Sequence, residues 1–216
     1  KKNKKKIAIY PFIDKDGIGT YLNGLCQEIS YDKIKSRFHP LSPIQFLTPL
    51  ITKYDIIHVP NFYVPLICNS KIICTIQDIT PILDKKLFNS IIRLYIRIRI
   101  SWSLIRSSHI IFTSNFTKNE TLKSFPFVKK FTVIPLGLET NYNLTSKHKK
   151  KIEKFDYFLL VGRQKHNKNF KRIFNAFSKI ALINNLHIVI VGNPEDIRDQ
   201  IKKLTSNKDV INRVHI

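Results

Sequence analysis

Arg163 and Lys168 stand in a short polar loop, residues 162–169, which follows the apolar run Phe158-Leu159-Leu160-Val161 and leads into a helical pattern. A continuous apolar run of this length predicts a strand buried on both faces of a parallel sheet. Gly162 gives the chain a tight exit. Beyond the loop, Phe170, Ile173, Phe174, Phe177, Ile180 and Ala181 recur at three- and four-residue spacing, which predicts a helix with one apolar face. A helix beginning near Asn169 turns its unpaired N–H groups and the positive end of its dipole toward the loop that holds both cations. That combination suits a phosphate group. Two more solvated cations in a basic chain would give the same local pattern, and the stretch taken alone leaves both readings open.

A second candidate loop lies near the start. Asp14-Lys15-Asp16-Gly17-Ile18-Gly19-Thr20 reads as a turn-rich connection from a strand over 7–10 to a helix with Ile18, Tyr21, Leu22, Leu25 and Ile29 on its apolar side. Gly17 and Gly19 would let backbone approach a ligand closely. With Gly24 they do not make the G-x-G-x-x-G fingerprint. Further polar residues close other apolar strand patterns: Asn61 after 55–60, Gln77 and Asp78 after 71–76, and Ser114 after 109–113. In open α/β sheets such strand ends line the ligand crevice. Plainer roles exist, since Asp78 could be a turn residue before Thr80-Pro81 and Ser114 a helix N-cap.

Two sets of strand–helix units are needed to position these loops. Strand patterns run over 7–10, 55–60, 71–76, 109–113 and 131–134. The stretch 141–154 then turns polar, with Lys147, Lys149, Lys150 and Lys151 and no apolar period. After it come strand patterns over 158–161 and 186–192, and a helix that Asn193 caps and Pro194 opens. The expected organisation is α/β, with a first domain over 1–140, a linker over 141–154, and a second domain that starts at 155 and is incomplete at Ile216. The absence of Met and an ending that reads as the opening of a strand predict a fragment. Over 87–107 a helix interleaves Arg93, Arg97, Arg99 and Arg106 with Leu94, Tyr95, Ile98, Trp102 and Ile105. We expect a surface helix with this apolar side on a sheet; the competing expectation is an anionic membrane interface.

Lys and Arg number 37 against 15 Asp and Glu, a net charge of +22. Such an excess implies an anionic partner: nucleic acid, an anionic membrane surface or a phosphorylated small molecule. Part of it reads as compositional bias, because Ile, Asn and Lys are abundant and Gly is scarce. The cations are spread along the chain without a nucleic-acid motif, which argues against nucleic acid. Cys26, Cys68 and Cys74 lack metal-ligand spacing and read as buried reduced thiols of a cytoplasmic protein. No apolar run reaches the roughly 18 residues needed to span a bilayer.

Taken in order, these landmarks resemble the group 1, or family 4, retaining glycosyltransferases, whose GT-B fold has two Rossmann-like domains. Gly17-Ile18-Gly19-Thr20-Tyr21 is similar to the family's first glycine loop. His58-Val59-Pro60-Asn61 and Thr75-Ile76-Gln77-Asp78-Ile79-Thr80-Pro81 are similar to strands ending at its acceptor cleft. Ser114-Asn115-Phe116-Thr117 and Val133-Ile134-Pro135-Leu136-Gly137 resemble the last part of its first domain. Most specific are Val161-Gly162-Arg163, Lys168-Asn169 and Val191-Gly192.

The resemblance implies that Arg163 and Lys168, with Gly17 and Gly19, serve the diphosphate of a UDP- or GDP-linked sugar. It implies that Gln77 and Asp78 act at the transferred sugar or its leaving group, and that Asn61 and Ser114 line the acceptor cleft. Gln77 stands where the family usually has His; it can donate a hydrogen bond but cannot titrate. The family's E-x7-E acids would fall after Ile216, so this chain is expected to be inactive by itself. No cofactor and no metal are expected, because two cations and a helix dipole would carry the positive charge. The implied acceptor is a glycan or a lipid-linked sugar in polysaccharide or lipopolysaccharide synthesis. The implied place is cytoplasmic, with peripheral contact at the anionic inner face of the cell membrane. The competing readings are a basic module that binds nucleic acid or anionic membrane, and a glycosyltransferase-like scaffold without activity.

Overall fold

The computed structural model of the chain describes residues 5–14, 16–137, 155–162 and 169–216. It forms two compact units, Lys1–Asn141 and Tyr142–Ile216. In the first, β1 (Ile7–Ile9), β2 (Asp32–Lys33), β3 (Ile56–Pro60), β4 (Lys71–Ile76), β5 (His109–Phe112) and β6 (Phe131–Val133) make one sheet in the order β2-β1-β3-β4-β5-β6. Every pairing in it is parallel. The helices are α1 (Asp16–Glu28), α2 (Pro43–Leu47), α3 (Thr80–Leu83), α4 (Ser90–Arg106) and α5 (Asn115–Ser124). From β1 the chain moves outward to β2 on one side and then to β3 on the other. The strand order therefore reverses between β1 and β3, and in open α/β sheets the crevice outside the carboxyl ends at such a point is where ligands bind.

A parallel sheet needs apolar cover on both faces. On one face, Ile57, Val59, Ile72, Cys74, Ile76, Ile110 and Phe112 form a single core with Ile96, Ile100 and Leu104 of α4. On the other face lies α1, whose Tyr21 meets His58 of β3 edge to face at 6.2 Å, and whose Leu22 is buried.

Helix α4 corrects the expectation for its apolar side. The residues that reach the core are Ile96, Ile100 and Leu104, together with Arg99 and Ser103. Leu94, Ile98 and Ile105 are exposed. The helix is apolar on two opposite sides, and of the five residues named for the sheet side only Tyr95 and Trp102 pack against the core. Asn89 caps it, its Oδ1 accepting from the Ile92 N–H at 2.9 Å. Arg99 is wholly buried without a carboxylate partner among the described residues. Its guanidinium donates to Tyr95 Oη at 2.8 Å and the Pro40 carbonyl at 3.4 Å, and lies 4.5 Å from the Phe46 ring centroid. One side chain thus ties α4 to the segment that carries α2.

The second unit has β7 (Tyr157–Val161), β8 (His187–Val191) and β9 (Val214–His215), parallel and in that order, with α6 (Phe170–Ile180), α7 (Pro194–Leu204) and α8 (Lys208–Ile211). Its core joins Phe170, Phe174, Phe177 and Ala181 to Ile188, Ile190, Ile197, Ile201 and Val210, with Leu160 packed against them. Asn193 caps α7 as expected, accepting from the Glu195 N–H at 3.3 Å. The strand over 157–161 forms, but it is not buried on both faces. Phe158, Leu159 and Val161 are exposed. Among the described residues β7 is an edge strand of a three-stranded sheet, and α6 and α7 cover one face only.

Candidate functional site

In the first unit the carboxyl ends of β1, β3, β4 and β5 gather the residues that sequence singled out. Helix α1 begins at Asp16, so Gly17 and Gly19 belong to its first turns rather than to an open loop. The two glycines differ. A Cβ at Gly19 would sit 2.6 Å from the Asp14 carbonyl carbon and 2.9 Å from its oxygen, whereas Gly17 faces open space. The close approach made by Gly19 is to the chain's own backbone.

Asn61 follows β3 with φ of 105°, a conformation that L side chains rarely adopt. Its backbone N–H donates to the Thr75 carbonyl at 2.7 Å, and its Oδ1 accepts from the Phe62 N–H at 2.9 Å. The strand end is held in a strained shape, a feature that collects at ligand sites. After β4, the Gln77 carbonyl accepts from the hydroxyls of Thr113 at 3.2 Å and Thr117 at 3.3 Å. The Gln77 Nε2 is buried and has no hydrogen-bond partner among the described residues. Asp78 is exposed, and its Oδ1 accepts from the Thr80 N–H, so it forms the turn that opens α3. Ser114 caps α5, accepting from the Thr117 N–H at 3.1 Å. Thr117 itself reaches across to the Gln77 carbonyl.

Beneath these ends runs a polar network that sequence reasoning did not assemble. His58 Nε2 lies 2.8 Å from Thr75 Oγ1, which lies 3.3 Å from Tyr21 Oη. His58 is 4% exposed and its Nδ1 has no hydrogen-bond partner among the described residues. Burial pushes the imidazole down to about 4 and raises the Tyr21 phenol. Cys74 is buried as well; its thiol donates to the Asn61 carbonyl at 3.2 Å and is pushed up to about 12 by burial. The available signal was one His and one Thr inside otherwise apolar strands. Cys68 is also buried, while Cys26 is only partly so, which corrects the expectation of three buried thiols.

In the second unit, Gly162 adopts φ of 125° and donates its N–H to the Val191 carbonyl at 2.9 Å. Only glycine takes this backbone shape without strain. Asn169 is left-handed, with φ of 56°, and α6 follows it with no acidic residue in its first turn. The positive end of that helix is therefore not neutralised locally. Arg163 and Lys168 lie outside the described residues. The Asp14-Lys15-Asp16 triplet in the first unit is an Asp-x-Asp pattern that the metal-free expectation passed over. Among the described residues, no group of three or more His, Cys, Asp or Glu could hold a metal ion.

Two family matches divide the chain. Residues 25–142 match Glycosyltransferase Family 4, and residues 143–216 match Glycosyl transferases group 1. The first takes in more than half of the sequence. The chain belongs to glycosyltransferase family 4. A crystal structure of a glycosyltransferase from Rickettsia africae ESF-5 is similar over 99% of this chain and 68% of that one, with 18% identity and a TM-score of 0.59. That likeness bears on the fold, which is α/β and GT-B-like with two Rossmann-like units. An apo structure of OtsA is similar over 73% of this chain and 49% of that one, with 12% identity and a TM-score of 0.43. No curated protein matches. Family membership makes the protein a transferase of sugars and gives it, in general terms, a nucleotide-sugar donor and an acceptor. No helix among the described residues is long and apolar enough to cross a membrane.

Proposed function

We propose that this glycosyltransferase moves a hexosyl group, with retention, from a UDP- or GDP-linked sugar to a glycan or lipid-linked acceptor in cell-surface polysaccharide or lipopolysaccharide synthesis. In this reading, the bond between the anomeric carbon and the diphosphate oxygen breaks, and one to an acceptor hydroxyl forms. The hydroxyl loses its proton, and a nucleoside diphosphate leaves with added negative charge. Fixed positive charge at that phosphate lowers the barrier.

The observation that carries the proposal is the junction at Gly162, matched to the group 1 transferases. A glycine at φ of 125° ends β7, and a helix with no acid in its first turn follows the loop that contains Arg163 and Lys168. Those two cations and the α6 N-terminus are assigned to the diphosphate, without a metal ion. Gln77 and Asp78 are assigned to the transferred sugar. The unpartnered Gln77 Nε2 can donate to a sugar oxygen after its amide rotates, and the turn at Thr80 fixes the Asp78 carboxylate. Asn61 and Ser114 are assigned to the acceptor side, at strand ends held by backbone bonds. Enzyme and acceptor would then meet at the cytoplasmic face of the membrane. The test is Arg163→Ala with Lys168→Ala in the complete protein. Donor turnover should vanish while the melting temperature stays nearly unchanged. A large loss of stability would make both residues structural and overturn the assignment.

A further inference from the structure

Helix α4 carries an apolar stripe that the core does not use. Ile91, Leu94, Ile98 and Ile105 recur at intervals of three, four and seven residues and are 80%, 60%, 51% and 64% exposed. At about 100° per residue they lie opposite Ile96, Ile100 and Leu104, which face the sheet. The patch extends sideways. Trp102 of α4 packs edge to face on Phe46 at 6.4 Å, next to exposed Leu47, and Arg106 holds the Cys68 carbonyl at 2.7 Å, next to exposed Ile67. Monomeric proteins rarely leave so much contiguous apolar surface without an occupant.

Charge identifies the occupant. Between Lys85 and Arg106 there are six basic residues, of which Arg99 is buried, and no acidic one. Lys85 and Lys86 are exposed just ahead of the helix. Arg97, which lies near the α5 end at the Ser124 carbonyl, and Arg106 flank the stripe on opposite sides. A second copy of this chain would set stripe against stripe and bring the same cations together with no acid between them. An anionic lipid surface meets both features at once: acyl chains take the isoleucines and headgroups take the lysines and arginines. We infer that α4 lies flat in an anionic membrane interface and docks the first unit there through Ile91, Leu94, Ile98 and Ile105. In choosing lipid over other anionic surfaces, the inference rests on the transferase reading above.

The experiment compares the complete wild-type protein with the double variant Leu94→Glu, Ile98→Glu. Cosedimentation uses vesicles of phosphatidylcholine alone and of phosphatidylcholine with equimolar phosphatidylglycerol. The wild type should bind only the anionic vesicles, less so as salt rises, and the variant should bind about tenfold or more weakly. Its melting temperature should hold, because both side chains point to solvent. Equal vesicle binding by both proteins overturns the inference, as does a wild-type dimer that the variant splits. Nucleotide binding measured without lipid separates the two proposals. Failure on vesicles with donor binding intact removes the membrane surface alone. Vesicle binding without affinity for any nucleotide sugar removes the transferase assignment on which the choice of lipid rests.

Discussion

Strands β4 and β7 look alike in sequence, yet four of six residues of β4 are buried and none of β7 is fully so. The runs Ile72-Ile73-Cys74 and Phe158-Leu159-Leu160 have the same apolar character. What differs is their neighbourhood. β4 lies between β3 and β5 with helices on both faces, whereas β7 is an edge strand whose sheet has helices on one face. An apolar run specifies a strand; the elements packed around it decide what it buries.

The sharpest way to break this comparison is to truncate one large side chain in each sheet. Phe112→Ala should cost the first unit about 3–5 kcal/mol, through lost burial and the cavity left behind. Leu159→Ala, at a site 59% exposed, should change stability by no more than about 0.5 kcal/mol. Urea unfolding measures both: the single tryptophan, Trp102, reports on the first unit, and far-ultraviolet circular dichroism reports on the whole chain. Comparable losses would mean that the outer face of β7 is covered after all.

Acid should weaken the first unit through His58. Its folded pKa of about 4 lies below the ordinary value of 6.5, so the unfolded chain takes up a proton that the folded one refuses. The stabilisation is complete above pH 6.5 and is lost as pH falls toward 4, a loss of about 3 kcal/mol. Urea midpoints followed by Trp102 fluorescence should show that slope, and His58→Gln should flatten it. A smaller effect contrasts two glycines of one helix. Gly19→Ala must displace the Asp14 backbone and should cost about 1–3 kcal/mol, while Gly17→Ala has room and should be neutral or stabilise by up to about 1 kcal/mol. The gentlest test is chemical: a thiol reagent should label Cys26 in the native protein and leave Cys68 and Cys74 untouched until it unfolds.

The major strands and the helices α4, α6 and α7 were legible because their periods are local. Helix α4 was expected over 87–107 and runs over 90–106, stopping where Asn89 and Ser107 take extended backbone. What was not legible depends on distant partners. Helix α2 is five residues in a segment with several prolines, and its buried Gln45 is explained only by the Tyr10 hydroxyl it bonds and the Phe38 N–H it accepts. Strand β2 is two exposed residues, with no pattern to read. At the site, the types and strand-end positions of Asn61, Gln77, Asp78 and Ser114 were readable. The turn at Asp78 and the cap at Ser114 were readable too; the bonds of Asn61 and Gln77 were not, nor was the His58–Thr75–Tyr21 network, whose members sit on separate elements. The choice between a core stripe and an outer stripe on α4 was likewise closed to sequence, since both have helical spacing.

Calorimetric titration of UDP, GDP and their sugars into the complete protein and its Arg163→Ala, Lys168→Ala variant tests the central assignment most directly. The account predicts that one nucleotide family binds the wild type and that the variant loses at least about tenfold in affinity, because charge-assisted bonds to the diphosphate are removed. Equal affinity in both proteins would contradict it.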